Sequence, residues 1–241
     1  MPTEIKKLQA HAEHLLDGFI TLRQRYAMLR PMLHDKDVVK NKGSKKQYRG
    51  FIIIRNTLFL SCCQAIANLS FDKQNKCPSI IQTMALLENN IFRNMLKEKY
   101  SAWTTPVIGG HEHDPEVIKF LKHMEEDEKI ERRAEFDKYY QELLALWASF
   151  SASKSTQSLG KIRNKVAAHT DISLIDGEFK LFDVSSLNLK WDDIKETISD
   201  MQKIIDLINL LVRNSGYDWE SLDKILNRTV ADYWDISPII E

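Results

Sequence analysis

The chain has no CxxC pair among its three cysteines, Cys62, Cys63 and Cys77. An odd count with no zinc spacing argues against a secreted disulfide scaffold and leads us to expect packed thiols in a reducing compartment. Net charge is missing as well, because 34 basic residues balance 34 acidic ones, so no overall field draws the molecule to nucleic acid or membrane. Any anion-binding surface has to be local. There is no HExxH, no glycine-rich phosphate loop after a strand, no repeat of fixed period and no low-complexity tract, which leaves no sequence basis for a zincin, a P-loop nucleotide hydrolase or a solenoid. The start, MPTEIKKLQAHAEHLL, scatters charge and has no apolar h-region, so it does not read as a signal peptide. The longest apolar stretch, Asn56 to Phe71, is short for a membrane span and carries Asn56, Gln64 and Asn68. A soluble cytoplasmic protein is the expectation.

What is present is helical periodicity. Ile5, Leu8, Leu15, Leu16, Ile20, Leu22, Met28 and Leu29 recur among charges over Thr3 to Leu33 and predict a long first helix, with Pro31 near its end. Lys36 to Arg49 gathers Lys36, Lys40, Lys42, Lys45, Lys46 and Arg49 around Gly43 and predicts a basic loop. Tyr48 to Leu69 is apolar nearly all round, the pattern of a surrounded central helix. Pro78 stands at a plausible first helical position, and Ile80, Met84, Leu87, Ile91 and Met95 predict a second core helix. Asp114-Pro115 predicts a cap before a charged helix running toward Phe150, with an interruption around Glu125 to Glu131, and Ser151 to Ser158 reads as a small-residue linker. Leu159, Ile162 and Val166 share one face of a short helix. Asp176-Gly177 between two apolar runs signals a small hairpin. Ile194, Ile198, Met201, Ile205, Ile208 and Val212 then mark one stripe of a long helix closed by Gly216, and a last helix covers Trp219 to Trp234. The fold class expected is all-α, a helical bundle with a small β-hairpin insertion, in a single domain over residues 1–241 with a C-terminal helical extension.

One segment concentrates chemistry: Lys161-Ile162-Arg163-Asn164-Lys165-Val166-Ala167-Ala168-His169-Thr170-Asp171. RNA cleavage without metal needs a base for the 2′-hydroxyl proton, an acid for the leaving oxygen and a fixed cation for the crowded phosphorane. A guanidinium suits the last role, since its planar fork donates two parallel hydrogen bonds and stays charged. Arg163 is therefore the candidate stabiliser and His169 the candidate proton carrier, with Asn164 orienting either a phosphate oxygen or the imidazole. Lys165, together with Lys45, Lys46 and Arg49, supplies cations for the RNA backbone. On a helix Arg163 and His169 would stand about 120° apart, so full acid–base chemistry calls for a second copy of the segment, as a twofold dimer provides. Spacing carries little by itself: chance alone gives about one such Arg–His pair in a chain of this composition. Arg-Asn also recurs at Arg55, Arg93 and Arg213.

The context adds to it. A long first helix, the YRGF…LSCCQAIANLSFDK segment and a late RNKVAAHTD segment before a long helix resemble the HEPN superfamily, whose motif is Arg, four to six residues, then His. More narrowly they resemble its AbiU-like abortive-infection branch. In this chain Arg163 and His169 are separated by five residues. The resemblance implies a metal-independent endoribonuclease of bacterial defence or toxin–antitoxin type, with no cofactor, an RNA substrate, motifs paired across a homodimer, and a possible cognate antitoxin or regulatory protein. Thr170 and Asp171 follow the histidine where members controlled by nucleotidyltransferases often have tyrosine, which departs from that mode of regulation.

Two other readings stand beside this one. A non-catalytic helical module would bind RNA or a protein through the same surface, its Arg163 serving a surface ion pair and its His169 capping a helix end. A metal-dependent hydrolase would use His111 and His113, which alternate with Glu112 and Asp114 but match no known zinc spacing; Asp114 is better accounted for as a helix cap.

Overall fold

The structure, a computed structural model, describes residues 2–40, 44–74, 76–104, 115–164, 172–175, 178–181, 187 and 189–237. Among these the element order is α1 (Pro2–His34), α2 (Lys36–Lys40), α3 (Lys45–Phe71), α4 (Ile80–Leu87), α5 (Asn90–Ser101), α6 (Pro115–Ala152), α7 (Lys154–Ile162), β1 (Ile172–Ile175), β2 (Glu178–Leu181), α8 (Trp191–Arg213) and α9 (Trp219–Trp234). The chain is nearly all helical. The two short strands pair antiparallel, Ile172 opposite Leu181 and Ile175 opposite Glu178; the Asp176-Gly177 turn lies outside the described residues.

The long helices share one core. α1 packs against α3 and α8, α6 against α5 and α8, and α7 lies on α3. The α8 stripe is the clearest case of sequence setting structure, because Ile194, Ile198, Met201, Ile205, Ile208 and Val212 are all buried. Each such side chain contributes about 1.5–3 kcal/mol by leaving water. Asn214 rather than Gly216 ends α8, at φ 52° and ψ 46°, a left-handed conformation asparagine tolerates better than most residues.

Several boundaries differ from the sequence expectation, each for a local reason. Pro31 does not stop α1: its missing N–H forfeits one intrahelical bond, but the helix runs on to His34 and the Pro31 carbonyl still accepts from Asp35 N–H at 3.0 Å. The described parts of the basic stretch are helical: Lys36–Lys40 forms α2, and α3 starts at Lys45 behind a capping box in which Ser44 and Gln47 satisfy each other's backbone N–H groups, while residues 41–43 lie outside the described residues. The predicted second core helix is two, α4 and α5, because the Asn89 side chain caps a fresh start by accepting from Ile91 and Phe92 N–H. Pro78 precedes the Ser79 cap of α4 rather than opening the helix. α6 continues through Glu125 to Glu131 without a break. The supposed linker is helical except at Ser153, which caps α7.

α3 is the largest correction. It is not surrounded: Phe51, Cys62, Cys63, Ile66 and Leu69 are buried, whereas Ile53 and Ile54 are 59% and 51% exposed on the opposite face. By length and composition alone it could cross a membrane, yet its inner side is part of the core. Where α1 and α3 meet they come very close. A Cβ on Gly18 would lie 2.7 Å from Leu69 Cδ2, so only glycine fits without displacement.

α9 is fastened to α1 and α8 by an aromatic and charged cluster. Phe19 meets Trp219 edge to face at 5.5 Å, Arg23 stacks over the Trp219 ring at 5.1 Å while bonding to Gln202 and Asp223, and Trp219 Nε1 donates to Asp206 Oδ1 at 2.8 Å. Burial lifts the Asp206 carboxyl above its ordinary value, opposed only in part by the Trp219 N–H and Arg23.

Two outcomes follow from these contacts. Gly18→Leu overpacks the α1–α3 crossing and should cost about 1–3 kcal/mol, read as a Tm lower by roughly 3–10 °C. For Asp206, the folded state holds its proton to higher pH than the unfolded state, so its stabilising contribution is present below the ordinary carboxyl value of 3.8 and is lost as pH rises through the folded value. Asp206→Asn keeps an acceptor for Trp219 and removes the desolvated charge. It should raise Tm at pH 7, and the advantage should shrink as melts are repeated toward pH 4.

Candidate functional site: the α3–α7 junction

The short helix α7 owes its position to Leu159 and Ile162, both fully buried. Under it lies an aromatic cluster at the ends of α3 and α6, with Phe71 5.9 Å from Trp147 and 6.5 Å from Phe150. Gly160 rests above Phe71, where a Cβ would be in ordinary contact at 4.0 Å. The helix then widens to a π-type turn at Arg163 and Asn164, a local irregularity that recurs at functional sites.

Arg163 is half-buried and Asn164 exposed. The Arg163 Nε donates to Asn68 Oδ1 on α3 at 3.0 Å, and Nη1 donates to Asn164 Oδ1 at 2.8 Å. Two of the five guanidinium N–H donors are thus used, and the other three, both on Nη2 among them, have no partner among the described residues. Both acceptors are neutral carboxamides. Among the described residues no carboxylate pairs with Arg163, in contrast to Arg23, Arg132 and Arg133, which meet Asp223, Glu128 and Glu98. The C-terminal ends of α7 and α3 add partial negative charge nearby, about half a unit each at most. That eases desolvation of the guanidinium and leaves it net positive.

Arg163 and Asn164 therefore adjoin, as their sequence positions require, and the structure adds Asn68 to them. Sequence reading noted Asn68 only as a polar interruption of an apolar run; no single-sequence signal ties it to a residue 95 positions away. Lys165 and His169 lie outside the described residues, as do His111 and His113. Lys45, Lys46 and Arg49 are exposed in the first turns of α3. At 1.5 Å per residue they stand about 30 Å along the helix from Asn68, so one chain does not bring them to Arg163.

Cys62 and Cys63 face the core beside this junction. Burial pushes the Cys62 thiol up to about 12 and the Cys63 thiol higher still. Neither forms a thiolate near neutral pH, which removes them as nucleophiles.

The family comparison places the chain in the HEPN class of proteins. Within that class the chain is a member of the AbiU2 family, whose family model, described as HEPN AbiU2, matches residues 5–233. The match makes it a HEPN-type abortive-infection module and takes in α9 almost to its last residue. No curated protein and no solved structure matches the chain.

The thiol chemistry has a direct check. Ellman's reagent applied to the native protein should label Cys77, the one cysteine not fully buried, and should reach Cys62 and Cys63 only after denaturant is added.

Proposed function

We propose that this protein is an endoribonuclease in which Arg163 stabilises the phosphorane, His169 transfers protons and Asn164 helps orient the phosphate. The observation that carries this reading is the Arg163 guanidinium, fixed on two sides by Asn68 and Asn164, without a described carboxylate to neutralise it and with donors to spare. A guanidinium that is oriented and keeps its charge is what a developing phosphorane oxyanion requires. His169 follows six residues on in the sequence, within about 20 Å of chain. The chemistry is acid–base and draws on no metal or organic cofactor.

A single histidine per motif must act as base and then as acid, or share the work with a second copy across a homodimer. The exposed side of α3 supports such pairing. Gly50, Ile53, Ile54, Thr57 and Gln64 lie along it without an ionisable group and lead toward Asn68. Lys45, Lys46, Arg49 and Lys165 serve the RNA backbone in this reading, which also takes in a defence setting, with a cognate antitoxin or regulatory protein in the cytoplasm; membership of an abortive-infection family supports the defence setting.

The experiment is cleavage of labelled total RNA in EDTA by wild type, Arg163→Ala and His169→Ala, each confirmed folded by circular dichroism. Wild type should leave 2′,3′-cyclic phosphate ends. Loss of Arg163 should lower kcat by about 10²–10³-fold and loss of His169 by about 10²–10⁴-fold, while sedimentation equilibrium should give twice the 28.1 kDa chain mass. RNA bound but left uncut by wild type would make the protein a non-catalytic RNA-binding module instead.

A further inference from the structure

The Arg163–Asn68 hydrogen bond joins two helices far apart in sequence. Arg93 and Arg213 are held by carboxamides of their own helices, Asn90 and Asn209, whereas Arg23 and Arg30 of α1 reach Gln202 and Asn227 on α8 and α9. Arg163 is likewise held between helices, across the α3–α7 interface at 3.0 Å, and unlike Arg23 it meets no carboxylate among the described residues. Its holder is well anchored: Asn68 lies between buried Ala67 and Leu69, and its backbone carbonyl accepts the Asp72 N–H that caps α3. Gly18 of α1 seats Leu69 from the other side. The direction of the guanidinium is thereby set on the Nε side by a long core helix, and only on the Nη1 side by Asn164 of its own turn.

The chemistry of the acceptor matters as much as its place. An aspartate at position 68 would make a charge-assisted bond with Nε, the stronger kind. It would also cancel the charge that a phosphate needs. A carboxamide oxygen accepts the same hydrogen bond and leaves the cation intact, and the Asn164 oxygen does likewise on the second side.

We infer that Asn68 is a positioning residue of this site: it aims the Arg163 fork at an RNA phosphate through a neutral acceptor, sparing the cation's charge for that phosphate. The inference rests on the ribonuclease reading and assigns a residue that lies outside the Arg–His segment. It acts only through Arg163, so its effects should vanish when Arg163 is absent.

Two substitutions separate aim from charge. Asn68→Ala frees the guanidinium without neutralising it, so kcat should fall about 10²-fold, the size expected of a misplacement near 1 Å. RNA affinity should keep its salt dependence. Asn68→Asp should fold as stably as wild type and lose cleavage, and it should also lose one phosphate contact. Binding of a 2′-O-methyl oligoribonucleotide, which cannot be cleaved, reads that contact as a salt slope shallower by about 0.7, the same change as in Arg163→Ala. In an Arg163→Ala background neither Asn68 substitution should lower the residual rate further.

These results would establish the role. Wild-type cleavage by Asn68→Ala and Asn68→Asp would overturn it, as would losses that add to that of Arg163→Ala or that simply track a lower Tm. Should Asn68→Asp fail to fold, Asn68→Ala decides alone, by lost kcat with the salt slope kept or by wild-type kcat. A wild type that neither binds nor cuts RNA would overturn the ribonuclease reading and this inference with it, whereas a wild type that cuts alongside indifferent Asn68 variants overturns the inference only.

Discussion

The seating of the last turns of α3 between α1 and α7 is the constraint on which the rest of the site depends. Gly18 lets the backbone of α1 come within reach of Leu69, while Cys62, Cys63 and Ile66 are fully buried. With those side chains fixed, Asn68 has one direction left, toward α7. On the other side α7 is pinned by Leu159 and Ile162 over the Phe71, Trp147 and Phe150 rings. Close-packed interiors transmit displacements, so the precision of the Arg163 guanidinium is inherited from the core and not from the exposed turn in which the residue sits.

The arrangement separates charge from chemistry. Arg163 is at one end of α3, and Lys45, Lys46 and Arg49 are at the other. A chain with no net charge has no general attraction for RNA, so whatever affinity it has must come from such local groups, and phosphate contacts by lysine and arginine position a strand without reading it. A strand held at the first turns of α3 would have to follow the helix, or meet a second copy, before it reached the guanidinium.

Much of the fold was legible because helical burial writes itself in spacing. The α8 stripe could be read residue by residue, and the ends of α9 fall at Trp219 and Trp234 as the sequence suggests. The misreadings have physical causes. α3 looked surrounded because its outer face lacks charge, and apolar content cannot tell a core-facing isoleucine from Ile53 or Ile54 in solvent. The basic stretch looked like a loop because its lysines and Gly43 outweighed the Ser44–Gln47 capping box, which was present in the sequence and gives the start of α3 directly. Pro31 was weighted as a breaker although a proline removes only its own donor, and α1 runs on past it to His34.

The candidate site was legible to a different depth. Spacing could nominate Arg163 and Asn164, since a motif is a local string, but the arginine's worth as a catalytic cation depends on what faces it. A surface arginine and a phosphate-binding arginine have the same letter; what faces the guanidinium decides how much of its charge stays available to an anion. Here that group is Asn68, from a helix 95 residues earlier. A neutral acceptor at that position weakens the tie that holds α7 to α3 relative to an ion pair and leaves the positive charge unspent. Asn68 thus joins the two helices without spending the charge that an anion from solution would meet.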